Sequence, residues 1–126
     1  MPLKFKVFMK KKVLMLLLSA LVLTNCEAIF VENISDKKIT IVSPANKVEL
    51  NDPEIVFSWN KLDDVDVYHL KVITPSFSNI TKTVLDTVIA KSLFSKKLSS
   101  GDYEWSIIGK NSEYQTQETR SSFTIN

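Results

Sequence analysis

Few side chains in this sequence could carry chemistry. The 126 residues include one histidine, His69, one cysteine, Cys26, and two glycines, Gly101 and Gly109. A single histidine excludes a His-based zinc site, and two isolated glycines exclude a phosphate-cradling loop. Any Ser-His-Asp arrangement would depend on His69, which alternation sets opposite Tyr68, Leu70 and Val72 and therefore toward solvent. Acidic residues are denser: Asp63, Asp64 and Asp66 follow Asp52 and Glu54. These two groups flank one strand-like segment and are expected at its opposite ends. Calcium takes roughly six to eight oxygen ligands, so the three aspartates alone read as a solvated turn. A glycosidase-type carboxylate pair would also need a substrate-sized cleft between the acids. The expectation is a non-enzyme with no catalytic residue, no metal site and no cofactor.

Cys26 is set apart by what precedes it. Lys4, Lys6, Lys10, Lys11 and Lys12 form a positive region, and Val13 to Leu23 is an apolar run broken only by Ser19. A bilayer span needs about 20 apolar residues, so this shorter run suits a removable signal peptide over residues 1–25. Leu23-Thr24-Asn25-Cys26 closes it. That placement resembles the lipobox of bacterial lipoproteins, with Asn25 departing from the usual small residue before the cysteine, as in the looser boxes of Bacteroidota lipoproteins. The resemblance implies cleavage before Cys26 and a diacylglycerol on its thiol. Several acyl chains make a stable anchor, at about 0.8 kcal/mol per buried methylene. The expected location is the bacterial cell envelope, on the outer membrane, facing the periplasm or the surface.

Removing the leader leaves 101 residues, enough for one domain with its own core. Five of the 16 Lys and Arg residues lie in the leader and none of the 14 acids does. The formal charge therefore falls from +2 for the whole chain to 11 bases against 14 acids, or −3. A nucleic-acid partner is excluded on that ground.

The elements that must position everything else are strands. Residues 26–37 read as the lipidated cysteine and a tether, without sustained periodicity. From Lys38 to Asn126 the pattern alternates with period two. Ile39 to Val42 is stopped by Ser43-Pro44, and Ile55, Phe57 and Trp59 share a face. Tyr68, Leu70 and Val72 share another, Thr74 to Asn79 reads as a loop, and Val84 to Ile89 and Leu93 to Lys97 are short strands. Tyr103, Trp105 and Ile107 alternate inward, and Phe123 and Ile125 mark the last strand. Seven short strands with proline at the joints predict an all-β, seven-stranded antiparallel sandwich. Lys96 shares its parity with Phe94 and Leu98, which aims it inward unless a bulge or an edge position intervenes.

Phe57-Ser58-Trp59-Asn60, Tyr68-x-Leu70 and the run Leu98-Ser-Ser-Gly101-Asp-Tyr103-Glu-Trp105 resemble a fibronectin type III or immunoglobulin-like module. The chain is similar to small single-module lipoproteins of the Bacteroidota. The resemblance implies a tyrosine corner from Leu98 to Tyr103, whose hydroxyl bonds a backbone group a few residues upstream. It also implies that Trp59, Tyr68, Leu98, Tyr103 and Trp105 define the core. Two surface aromatics remain open in role. Phe77 is either a partner contact or a lid folded onto the core edge, and Tyr114 either a contact or a cap. Asp86-Thr87-Val88 matches a short O-glycosylation motif of exported Bacteroidota proteins, with Thr87 as acceptor. The expected function is a lipid-anchored module for protein or glycan binding. The alternative is an accessory subunit of a larger outer-membrane uptake or secretion complex.

Overall fold

The computed structural model describes residues 30–126, so Cys26, the expected leader and the start of the expected tether lie outside the described residues. Eight strands follow in order: β1 Ile41–Ser43, β2 Val48–Leu50, β3 Glu54–Trp59, β4 Val67–Ser76, β5 Asn79–Ile89, β6 Leu93–Lys97, β7 Gly101–Lys110 and β8 Thr119–Ile125. They form a three-stranded sheet, β1-β3-β6, and a five-stranded sheet, β2-β8-β7-β4-β5. Alternation explains which faces meet. Ile55, Phe57 and Trp59 are buried while Glu54 and Val56 are exposed, and Tyr103, Trp105 and Ile107 are buried on β7. Each strand thus offers one apolar face, and two such faces closed on each other make the sandwich.

The core is aromatic in the middle. Phe57 meets Trp105 edge-on at 5.1 Å between centroids, Trp59 lies 5.5 Å from Tyr68, and Tyr103 stacks on Phe123 at 5.3 Å. Tyr103 is 4% exposed, and its hydroxyl donates to the Ser99 carbonyl at 2.7 Å. Gly101 precedes that ring with φ at 150°, a conformation open to glycine and rarely to other residues.

Three expectations are corrected, and Lys96 takes the edge-strand position that was one of its two expected resolutions. The strand count is eight, and β2 pairs parallel with β8, through Val48–Phe123 and Leu50–Ile125. Pro44 has no N–H to continue pairing with β3, so the chain crosses to the other sheet, where the Lys47 N–H donates to the Ser122 carbonyl at 2.7 Å. Residues 31–37, expected as part of a tether, belong to the same compact unit as the strands. Ile34 is fully buried, the Asn111 amide donates to the Glu32 and Asp64 carbonyls, and the Gln117 N–H donates to the Lys37 carbonyl. A lone isoleucine in a polar segment has no periodicity to announce its burial. The loop expected over Thr74–Asn79 shrinks to Phe77-Ser78, because β4 extends through Pro75 to Ser76. Proline is tolerated there because β7 pairing has already ended at Ile73, and a register shift lies at Thr74/Pro75. Finally, β6 is an edge strand, which leaves Lys96 half-exposed although it pairs with buried Ile55. A charge aimed inward at an edge also discourages pairing with a foreign strand.

Candidate interaction surfaces

His69 stands on the outer face of the five-stranded sheet, opposite Val88 of β5, and its Nε2 lies 2.5 Å from Asp86 Oδ1. The hydrogen bond to His69 holds the Asp86 carboxyl below the usual carboxylate range, against a small cost of burial. The positive charges of His69, Lys71 and Lys110 act in the same direction as the bond. His69 is half-buried and Asp86 exposed, with Lys71 opposite Asp86 on β4. Thr87, the next residue, faces the other way on β5, half-buried and paired with Leu70. Asp63, Asp64 and Asp66 lie beyond the end of β3, and Asp52 and Glu54 lie at its start. Among the described residues no group of three or more His, Cys, Asp or Glu is placed to hold a metal ion.

Phe77 sits at the tip of the β4–β5 hairpin, half-buried. Arg120 of β8 lies opposite Ser106 of β7, which lies opposite Lys71 of β4. Phe77 follows Lys71 by six residues, and an extended strand would carry it about 20 Å onward. Yet the Arg120 guanidinium carbon is 4.2 Å from its ring centroid. The tip therefore bends back across the outer face of its own sheet. Register shifts at Val72/Ile73 and Thr74/Pro75 supply the bend, and Thr74 Oγ1 donates to the Asp102 carbonyl at 2.6 Å. This accounts for Ile73, which alternation turns away from the inter-sheet core and which is nevertheless fully buried. The Phe77 ring is laid on the outer face of its own sheet and not on the core edge. Tyr114 closes a tight turn. Its N–H donates to Asn111 Oδ1 and its carbonyl accepts from the Asn111 N–H, leaving the ring half-buried.

A feature that sequence reading missed lies at β3. Beyond the Ser43–Ser58 pair the chain leaves β3 for the other sheet, so Val56 pairs with Ser95 on the β6 side alone. The space left is a groove of about 430 Å³ between Val42 and Pro44, Val48 and Leu50, and the β3 residues Glu54 and Val56, with Asp52 at one end. Pro44 was the available signal, since it marks where pairing must stop.

No protein-family model matches the chain, and no curated protein matches it. Solved structures do. The CbhA fibronectin(III)-like modules of Clostridium thermocellum are similar over 71% of this chain and 96% of theirs, with a TM-score of 0.51 at 10% identity. The crystal structure of FN3tt is similar over 71% of this chain and 97% of its own, with a TM-score of 0.51 at 16% identity. The fold is fibronectin type III-like. Identity this low speaks for the fold alone, and a fold hosts many functions. Within this fibronectin type III-like domain, the Tyr103 hydroxyl bond ties the turn after β6 to β7.

Proposed function

We propose that this chain is a non-catalytic lipoprotein of the bacterial cell envelope. Acyl chains on Cys26 hold it to the outer membrane, and its fibronectin type III-like domain serves as a module that binds a protein or a glycan. The observation that carries the reading is the position of Cys26 at the end of the Val13–Leu23 apolar run, behind five lysines. The fibronectin type III-like fold supports the second half, with surface grooves of about 430 and 300 Å³. An accessory subunit of a larger uptake or secretion complex is the second reading, favoured by the half-paired backbone of β3.

Expression of Cys26→Ala followed by membrane fractionation tests the anchor. The expected result is an unprocessed chain of larger size that no longer depends on acyl chains for sedimentation. Maturation to the wild-type size with unchanged membrane association would overturn it. Pull-down from detergent-solubilised membranes separates the two readings, because a stoichiometric protein partner favours the accessory subunit.

A further inference from the structure

We infer that the groove beside β3 receives an extended peptide segment of a partner protein, added antiparallel to β3 with a basic residue at Glu54. The inference rests on the binding-module reading and names the partner's chemistry. It begins with the direction of backbone groups along β3. The Trp59 N–H donates to the Ser92 carbonyl on the β6 side, and the Asn60 N–H donates to the Thr40 carbonyl on the β1 side. Backbone groups of successive residues point to opposite edges, so those of Val56 and Glu54 point to the β1 side with those of Ser58. Ser58 is paired there with Ser43, but Val56 has no partner on that side. The Glu54 N–H is satisfied locally by Asp52 Oδ1 at 2.9 Å, which leaves its carbonyl facing the groove.

A hydrocarbon surface alone would not select a peptide. The N–H and C=O of Val56 and the C=O of Glu54 do, because a second backbone is what supplies an acceptor and two donors at that spacing. A peptide running in the direction of β1, in the place β1 vacates, exchanges both bonds of one residue with Val56. The residue two positions later then donates to the Glu54 carbonyl. The side chain of the first lies on the outward face beside Val42 and Val56, which are 58% and 40% exposed. The next side chain turns into the groove toward Val48, Leu50 and Ile55. The third stands across from Glu54, near Asp52, and neither acid has an ion-pair partner within 4 Å among the described residues. No Lys or Arg lines the groove. The sequence preferred is apolar, apolar, basic.

Two of the other strand edges resist such pairing. Two register shifts interrupt β5, and Lys96 guards β6. The test uses the full chain in detergent micelles and an acetylated, amidated Thr-Val-Val-Lys-Thr pentapeptide. In the free protein the Val56 amide should exchange with solvent faster than those of Ile55 and Phe57, and the peptide should slow it by about tenfold or more. Replacing the peptide lysine by glutamate should weaken binding about five- to tenfold, and Glu54→Lys should reverse that preference. N-methylation of the first valine should abolish binding by removing the donor to Val56. Absence of saturation at millimolar peptide, or protection at β5 instead, would overturn the inference. So would slow Val56 exchange that depends on protein concentration without peptide, because a second copy would then occupy the groove. Failure here with a partner still captured in the pull-down removes the groove and leaves the module reading. Failure of the Cys26 experiment removes the anchor and leaves the groove.

Discussion

Two aromatic rings sit beside chain reversals, and they are held by opposite means. Tyr103 follows the turn after β6, is almost fully buried, stacks on Phe123, and places its hydroxyl on the Ser99 carbonyl. Phe77 caps the β4–β5 hairpin, is half-buried, and is held on one face by the exposed guanidinium of Arg120. Both rings come from loop-like sequence beside Gly, Ser or Pro. Enclosure separates them. Tyr103 has core against its ring and a part-buried hydrogen bond, where an unmade bond is costly. Phe77 trades part of its hydration for an exposed cation–π contact, worth about 0.5–1 kcal/mol. A ring at a turn stabilises a fold in proportion to what closes over it.

Urea unfolding of the Val31–Asn126 unit sharpens that comparison. The largest loss is expected from Trp59→Ala, about 3–5 kcal/mol, because the ring packs between Tyr68 and Trp105 at the centre of the sandwich. Its Nε1 has no hydrogen-bond partner, so the loss is one of packing alone. Ile34→Ala comes next at about 2–4 kcal/mol, since the side chain is wholly enclosed. A loss below about 1 kcal/mol would return that segment to the status of a tether. Tyr103→Phe keeps the ring and deletes the bond to Ser99, at about 1–3 kcal/mol. Tyr68→Phe deletes a hydroxyl that accepts the Leu62 N–H at 3.0 Å, a longer bond than the 2.7 Å bond of Tyr103, and should cost less, about 1 kcal/mol. The reverse order would place the corner at the wrong tyrosine. Smallest of all are Phe77→Ser and Arg120→Ala, with a coupling of roughly 0.5–1 kcal/mol in a double-mutant cycle. Coupling indistinguishable from zero would mean that the hairpin tip is held by Thr74 and Ile73 without help from the cation.

Legibility in the sequence followed the range of the physics. The inward sets Ile55-Phe57-Trp59, Tyr68-Leu70-Val72 and Tyr103-Trp105-Ile107 were readable because a strand with one buried face must alternate. The outward direction of His69 followed from the same rule. Its partner did not, because Asp86 is placed beside it by the β4–β5 register, which Phe77-Ser78 and two bulges determine. The hairpin was hidden for a related reason: Pro75 and four nearby Ser, Thr and Asn residues look like loop until β5 is present to pair with them.

By itself the sequence determined the sandwich, through period-two burial, and pointed to the corner at Tyr103 through the resemblance of Leu98–Tyr103 to a fibronectin type III module. It also placed Cys26 at the close of the apolar run Val13 to Leu23. Tertiary structure alone decided that Ile34 is core, that β2 runs parallel to β8, that the Phe77 tip folds onto Arg120, and that Val56 is left half-paired. The division has one cause. Which face a strand buries is written in each strand's own residues, whereas which edge it shares, and what covers its outer face, depends on segments far away in the chain.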